Sequence, residues 1–283
     1  MNIEEYGIYI LYTFIYIICM IILKQILNFK ASAHYDADTE LANGNLAVGL
    51  RRTGAQLGLA IAMMGVLTGT TQGSIVDDLV FSLIYGLLAV GFIVSSLILT
   101  DKCVLPSVHN IKALKEGNIS VGIVEFGMLT ATGVIAYSSI VGEGGGLISS
   151  VVYFLVGQLT LLTLVVVYEK LVMRDIDIVQ AIANKNTSLG IYIGGKLIAY
   201  SLILKSAIVG NQTEMQINDQ AVEFMVIAVA GMVLLYIFEF IIDLFIVTSA
   251  KMSTIIAQDQ VVPALQITVG KIGVALILSN AIL

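Results

Sequence analysis

Residues 40–54, ELANGNLAVGLRRTG, return three times along the chain: as ALKEGNISVGIVEFG at 113–127, as AIANKNTSLGIYIGG at 181–195 and, more loosely, as IIAQDQVVPALQITV at 255–269. Their anchors are Asn45, Asn118, Asn186 and Gln260, spaced 73, 68 and 74 residues apart. Each copy stands where a polar stretch gives way to a long apolar one. The spacing leaves room for one linker and two membrane spans, which makes the repeat a two-helix unit. Every copy enters its apolar run in the same sense, so the units are parallel, not inverted.

Around these anchors, eight segments reach the roughly 20 apolar residues a span needs: 7–28, 45–68, 78–100, 118–141, 147–168, 187–210, 221–248 and 261–283. Composition agrees, with 58% hydrophobic and 12% charged residues and a mean hydropathy of +0.97. A water-soluble domain has too little polar surface to cover that content. The acidic N-terminus and its long apolar run read as a retained first helix, since a signal peptide needs a basic start and a shorter core. The expected fold is an all-α polytopic transmembrane helical bundle of about eight helices in four parallel two-helix repeats.

Charge sets the expected orientation. Lys30, Lys102, Lys112, Lys115, Lys170, Arg174, Lys185 and Lys251 fall in the connections at 29–44, 101–117, 169–186 and 249–260. Glu4, Glu5, Asp77, Glu143, Glu214 and Asp219 fall in the short loops and near the N-terminus. The positive-inside rule then places the four linkers in the cytoplasm and both termini outside. A net charge of −6, with no basic stretch interleaved with aromatics, argues against nucleic acid as a partner.

Odd-numbered spans are rich in aromatics and even-numbered spans in glycine. Gly49, Gly54, Gly58, Gly122, Gly127, Gly190 and Gly195 are the expected packing positions, several in small-xxx-small pairs such as Gly54/Gly58 and Gly190/Gly194, which let backbones approach in lipid. Even helices are therefore expected to be inner and odd helices peripheral. Asn45, Asn118 and Asn186 are read first as helix caps, with a binding role as the alternative. The fourth unit departs from the pattern, with Gln260 for Asn, Asp259 for Gly and Pro263 in the first turn, where proline is tolerated.

Ionisable residues inside spans are costly and mark either paired cores or pathways. Arg51, Arg52, Glu125, Lys196, Glu239, Asp243 and Lys271 fall in one layer, the shallower of them roughly 8–14 Å inside the linker-side boundary at 1.5 Å per residue. Four cations against three anions is nearly neutral and favours mutual pairing. A water-filled vestibule or transport site remains the alternative. Glu239 and Asp243 share a helix face, suited to an arginine fork from the second span or to a cation.

Other motifs point nowhere specific. His34, Asp36, Asp38 and Glu40 alternate in the first linker without a calcium-loop pattern, and two histidines are too few for a histidine-based metal centre. Cys19 and Cys103 form no redox pair, the glycines at 142–146 lack the Lys-Ser/Thr of a phosphate loop, and neither GxSxG nor HExxH occurs. No cofactor, no metal and no enzymatic activity are expected.

HYDADTELANGNLAVGLRRTGAQLG at 34–58 and LTDKCVLPSVHNIKALKEGNISVGIVEFGMLTATGVIAY at 99–137 resemble the YjfL-like family of bacterial inner-membrane proteins, through the Tyr-Asp after the first span and the Gly-Asn opening each even span. The resemblance implies two tandem four-helix halves, 1–142 and 147–283, joined by the glycine run at 142–146. It also implies an inner-membrane location and a setting of membrane maintenance or envelope stress, and it transfers no catalytic residue. The leading functional expectation is a non-enzymatic scaffold or partner subunit presenting its linkers to soluble proteins. The competing class is an ion channel or small-solute transporter using the charged layer. Expected partners are the lipid bilayer, a cytoplasmic protein and, as one option, a further copy of the chain.

Overall fold

The computed structural model describes residues 3–68, 74–106, 108–141, 146–171, 173, 176–209, 217–245 and 252–281. Glu143, Arg174, Glu214, Lys251 and most of the 142–146 connector lie outside the described residues. The described chain is helical, with no strand: α1 (Ile3–Ala31), α2 (Ala37–Ala42), α3 (Leu46–Leu67), α4 (Ile75–Leu99), α5 (Asn110–Lys115), α6 (Ile119–Val141), α7 (Gly146–Leu171), α8 (Ile178–Ala183), α9 (Thr187–Val209), α10 (Ile217–Phe245), α11 (Met252–Ala257) and α12 (Val261–Ala281). A π-helical turn, Thr100–Val104, extends α4.

Seven of these helices are long and apolar enough to cross a membrane: α1, α4, α6, α7, α9, α10 and α12. The sequence led us to expect eight. The eighth, α3, has the length at 22 residues, but Arg51, Arg52, Thr53 and Gln56 lower its apolarity. It nevertheless packs along α6 as α6 packs along α9 and α9 along α12.

Four short helices precede the even spans, and all four end alike. The residue before each anchor adopts a left-handed conformation, at Gly44 (φ 80°), Gly117 (φ 68°), Lys185 (φ 67°) and Asp259 (φ 48°). In each unit the backbone N–H of that residue bonds three residues back and the anchor N–H five residues back, as in Gly117 to Leu114 and Asn118 to Ala113. This is the terminating motif that glycine favours. Lys185 and Asp259 adopt it without glycine, so the backbone of the repeat persists where its sequence has diverged.

The even helices were expected to cluster at the centre. They form instead an open row, α3–α6–α9–α12, and among the described residues its two end helices are not packed along one another. Its middle members are the most enclosed, with 83% of the apolar stretch of α6 and 89% of that of α9 buried, against 28% for α12. The odd-numbered spans, α1, α4, α7 and α10, flank the row: α4 lies against α3 and α6, α7 against α6 and α9, and α10 against α9 and α12, while α1 lies chiefly on α4.

Glycine sets the spacing of this row. A Cβ on Gly54 would lie 2.6 Å from the Phe126 backbone, one on Gly122 2.8 Å from the Ala47 carbonyl, and one on Gly190 2.6 Å from Ser120 Oγ. Gly58 meets Gly133, and Gly127 meets Gly194, backbone to backbone. Gly195 faces the Thr268 methyl. Gly49, expected among the packing glycines, touches only the Leu41 side chain of its own unit.

Candidate functional site

Each of the three asparagine anchors does two jobs. Its side-chain oxygen caps its own helix: Asn45 accepts from Ala47 and Val48, Asn118 from Val121, and Asn186 from Leu189. Its amide nitrogen donates to the end of the next unit's short helix. Asn45 reaches the carbonyls of Leu114 (3.0 Å) and Lys115, Asn118 those of Ile182 (2.9 Å) and Ala183, and Asn186 that of Ile256 (2.8 Å). Lysines tie the linkers in the other direction, Lys115 to the His34 carbonyl (2.7 Å) and Lys185 to the Glu116 carbonyl (3.2 Å). The four linkers thus form a braced row at one end of the bundle.

Gln260 has no following unit and donates to Gln258 instead. Asn118→Ala removes a cap and two inter-unit bonds in a buried setting, and should cost about 2–3 kcal/mol. Gln260→Ala should change stability by less than about 0.5 kcal/mol. Thermal unfolding in detergent checks both, and equal losses would contradict the ladder.

The charged layer is paired across helices. Arg51 Nε lies 3.3 Å from Glu125, joining α3 to α6, and both side chains are buried. Lys196 pairs with Glu239, joining α9 to α10. Lys271 lies 2.9 Å from Asp243, joining α12 to α10. The face shared by Glu239 and Asp243 therefore receives two lysines from the sixth and eighth spans, in place of an arginine fork from the second. Arg52 leaves the layer and turns to the end of α1, where it bonds Asn28, and to the first linker, where it bonds Asp38 (2.8 Å).

The carboxylates of the first linker are all engaged. Asp36 caps α2 through the Thr39 N–H (2.7 Å), Asp38 holds Lys24 (3.1 Å) and Arg52, and Glu40 accepts from Asn45. Hydrogen bonds from Lys24 and Arg52 hold the Asp38 carboxyl below its usual range, as bonds from Thr39 do for Asp36. The Arg52 contact therefore persists until pH falls below the ordinary carboxylate range. Tyr35, of the Tyr-Asp motif, is pushed up by burial, while the charge of Arg51 opposes the shift.

Two features were not anticipated. First, Lys196 sits among four tyrosine rings, with its ammonium 4.6 Å from Tyr168, 5.7 Å from Tyr192, 5.3 Å from Tyr200 and 5.2 Å from Tyr236. Each ring face attracts a cation. Tyr168 and Tyr192 share a hydrogen bond, Lys271 lies 5.0 Å from the Tyr192 ring, and Glu239 Oε1 is buried without a hydrogen-bond partner. Second, both histidines line one cleft of about 570 Å³ at the linker end, together with Asp101, Pro106, Asn110 and Lys112. Among the described residues no group of three His, Cys, Asp or Glu side chains is placed to hold a metal.

The fold and its paired charges define a polytopic helical membrane protein built of two tandem copies. Residues 1–140 and again 143–282 match the family described as Domain of Unknown Function (DUF350), and the chain belongs to that family. It is similar to a UPF0719 transmembrane protein of Aquifex aeolicus (strain VF5), 25% identical over 197 residues that cover 67% of this chain and 68% of the relative. No solved structure matches.

Proposed function

We propose that this protein is a non-enzymatic membrane scaffold whose row of linkers docks soluble cytoplasmic proteins, working in membrane maintenance or envelope stress in the bacterial inner membrane. The braced linker row carries this reading: the anchors and lysines spend their hydrogen bonds on keeping four short helices aligned at one end. Exposed Lys112 and Glu116, beside the histidine-lined cleft, give that surface a polar and concave face. The lysines on this side fit a cytoplasmic orientation with both termini outside. Lys112→Glu together with His109→Ala should abolish co-purification of a soluble protein crosslinked to the wild type in cells, with membrane insertion unchanged. Failure to capture a soluble partner with wild-type protein would overturn the reading.

One observation favours a second reading, an ion or small-solute transporter. Glu239 presents a buried oxygen with no hydrogen-bond partner beside a caged lysine, the arrangement that a moving cation or proton would use. It requires flux across liposomes containing the wild type that is lost when Lys196 and Glu239 are both made apolar. Equal flux in the two proteins would rule it out.

A further inference from the structure

The row of even helices stops at α3 and α12 with its interface chemistry unfinished at both ends. Within the chain, one register recurs at successive interfaces. The residue two past an anchor meets the residue four past the next: Ala47 meets Gly122 and Ser120 meets Gly190. The residue nine past an anchor meets the residue eight past the next: Gly54 meets Phe126, Gly127 meets Gly194, and Gly195 meets Thr268.

Continued beyond the ends, that register selects Val262 and Val269 on α12 and Gly49 and Thr53 on α3, and these residues lie on the outer faces. Val262 is 76% and Val269 58% exposed. Thr53 is exposed, and a Cβ on Gly49 would meet only the Leu41 side chain of α2 in its own unit, although its counterparts Gly122 and Gly190 touch backbone or side chain of the preceding unit. Gly273 corresponds to Gly58; Gly58 packs on Leu129 and Gly133, whereas Gly273 meets nothing.

Polar groups are left over in the same places. Gln56 on α3 and Gln266 on α12 are exposed and make no hydrogen bond among the described residues, an unfavourable state in hydrocarbon. Among the described residues no side chain donates to the carbonyls of Leu41 and Ala42, the positions equivalent to Leu114 and Lys115, which receive Asn45. At the other end Gln260 holds the anchor position with no following helix to receive its amide.

We propose that copies of this chain associate head to tail in the membrane, the α12 face of one against the α3 face of the next, so that the internal row continues from molecule to molecule. Gln260 of one copy takes up the Leu41 and Ala42 carbonyls of the next, and Gln56 lies opposite the turn that contains Gly273. An interface of this kind uses two different faces, and so yields a ring where the rotation closes and an open array where it does not.

The test uses the full-length chain with Cys19→Ala and Cys103→Ser, in native membranes. One tagged chain carries Thr53→Cys and a second, differently tagged, carries Val269→Cys. Oxidation should link the two tags when the chains are co-expressed and should link neither chain to itself. Gly49→Phe on the Thr53→Cys chain should lower the yield about tenfold, equivalent to about 1.4 kcal/mol, with the melting temperature unchanged. Wild-type protein with one fluorophore per chain should bleach in several steps per particle. Self-links of Thr53→Cys, links to another protein only, no link, or single-step bleaching throughout would each overturn the proposal.

Discussion

Lys196→Met is expected to lower the detergent melting temperature by roughly 10 °C, and adding Glu239→Leu is expected to restore most of it. The single change strands the Glu239 carboxylate in a site where both partners are almost wholly buried. Breaking a buried pair from one side costs about 3–5 kcal/mol, and a chain of this length shifts by about 2–4 °C per kcal/mol. Replacing both partners with apolar groups of similar size is often neutral, because neither ion then has to leave water. The rings of Tyr168, Tyr200 and Tyr236 would close on the methionine thioether, a favourable contact in its own right. A double variant no more stable than the single one would mean that the cage itself requires the lysine charge. The recovered double variant is also the folded protein needed for the flux comparison.

The first half places its buried pair differently, and the contrast explains why the cage escaped the sequence reading. Arg51 and Glu125 both lie on even helices, six and seven residues past their anchors, where the repeat points to them directly. In the second half the cation sits one turn deeper and the acids move to α10, outside the repeated motif. Tyr192, Lys196 and Tyr200 do fall on one helix face at i, i+4 and i+8, a signal present in the sequence. The remaining rings come from α7 and α10, and apolar periodicity does not say which faces of those helices turn inward when lipid and protein are both apolar.

Similar limits account for the linkers. α2, α5, α8 and α11 span six residues each, too few to show a helical period, and His34 and His109 line their cleft from two linkers that are distant in sequence. The anchors were legible as caps because capping is local. Their donation to the next unit was not, since it depends on how neighbouring units stack. The sequence likewise marks which helices pack closely, through glycine, while leaving open whether four such helices form a closed cluster or a row. That depends on how successive units stack, and here, among the described residues, α3 and α12 are not packed along one another.

Glycine substitutions read out that distinction with the largest contrast in the molecule. Gly127→Val is expected to remove the folded protein from detergent extracts, because its Cβ would occupy the space held by the Gly194 backbone at the centre of the row. Backbone on both sides leaves no flexible side chain to give way, and overpacking of this kind costs about 3 kcal/mol or more. Gly273→Val is expected to stay within about 0.5 kcal/mol and Gly49→Ala within about 1 kcal/mol of wild type in the same extracts, since nothing lies within 4 Å of the Gly273 Cβ and only the Leu41 side chain of α2, at 3.7 Å, lies near that of Gly49. A helical alanine in place of glycine even favours stability by about 0.5–1 kcal/mol, so Gly49→Ala can melt slightly higher. Fluorescence-detected size exclusion after a heating series compares all three. If Gly49→Ala leaves the melt intact yet weakens oxidation between Thr53→Cys and Val269→Cys chains, the glycine serves contact between copies. If it destabilises the isolated chain as Gly127→Val does, α3 packs on its outer side within a single molecule, and the open row is wrong at its first helix.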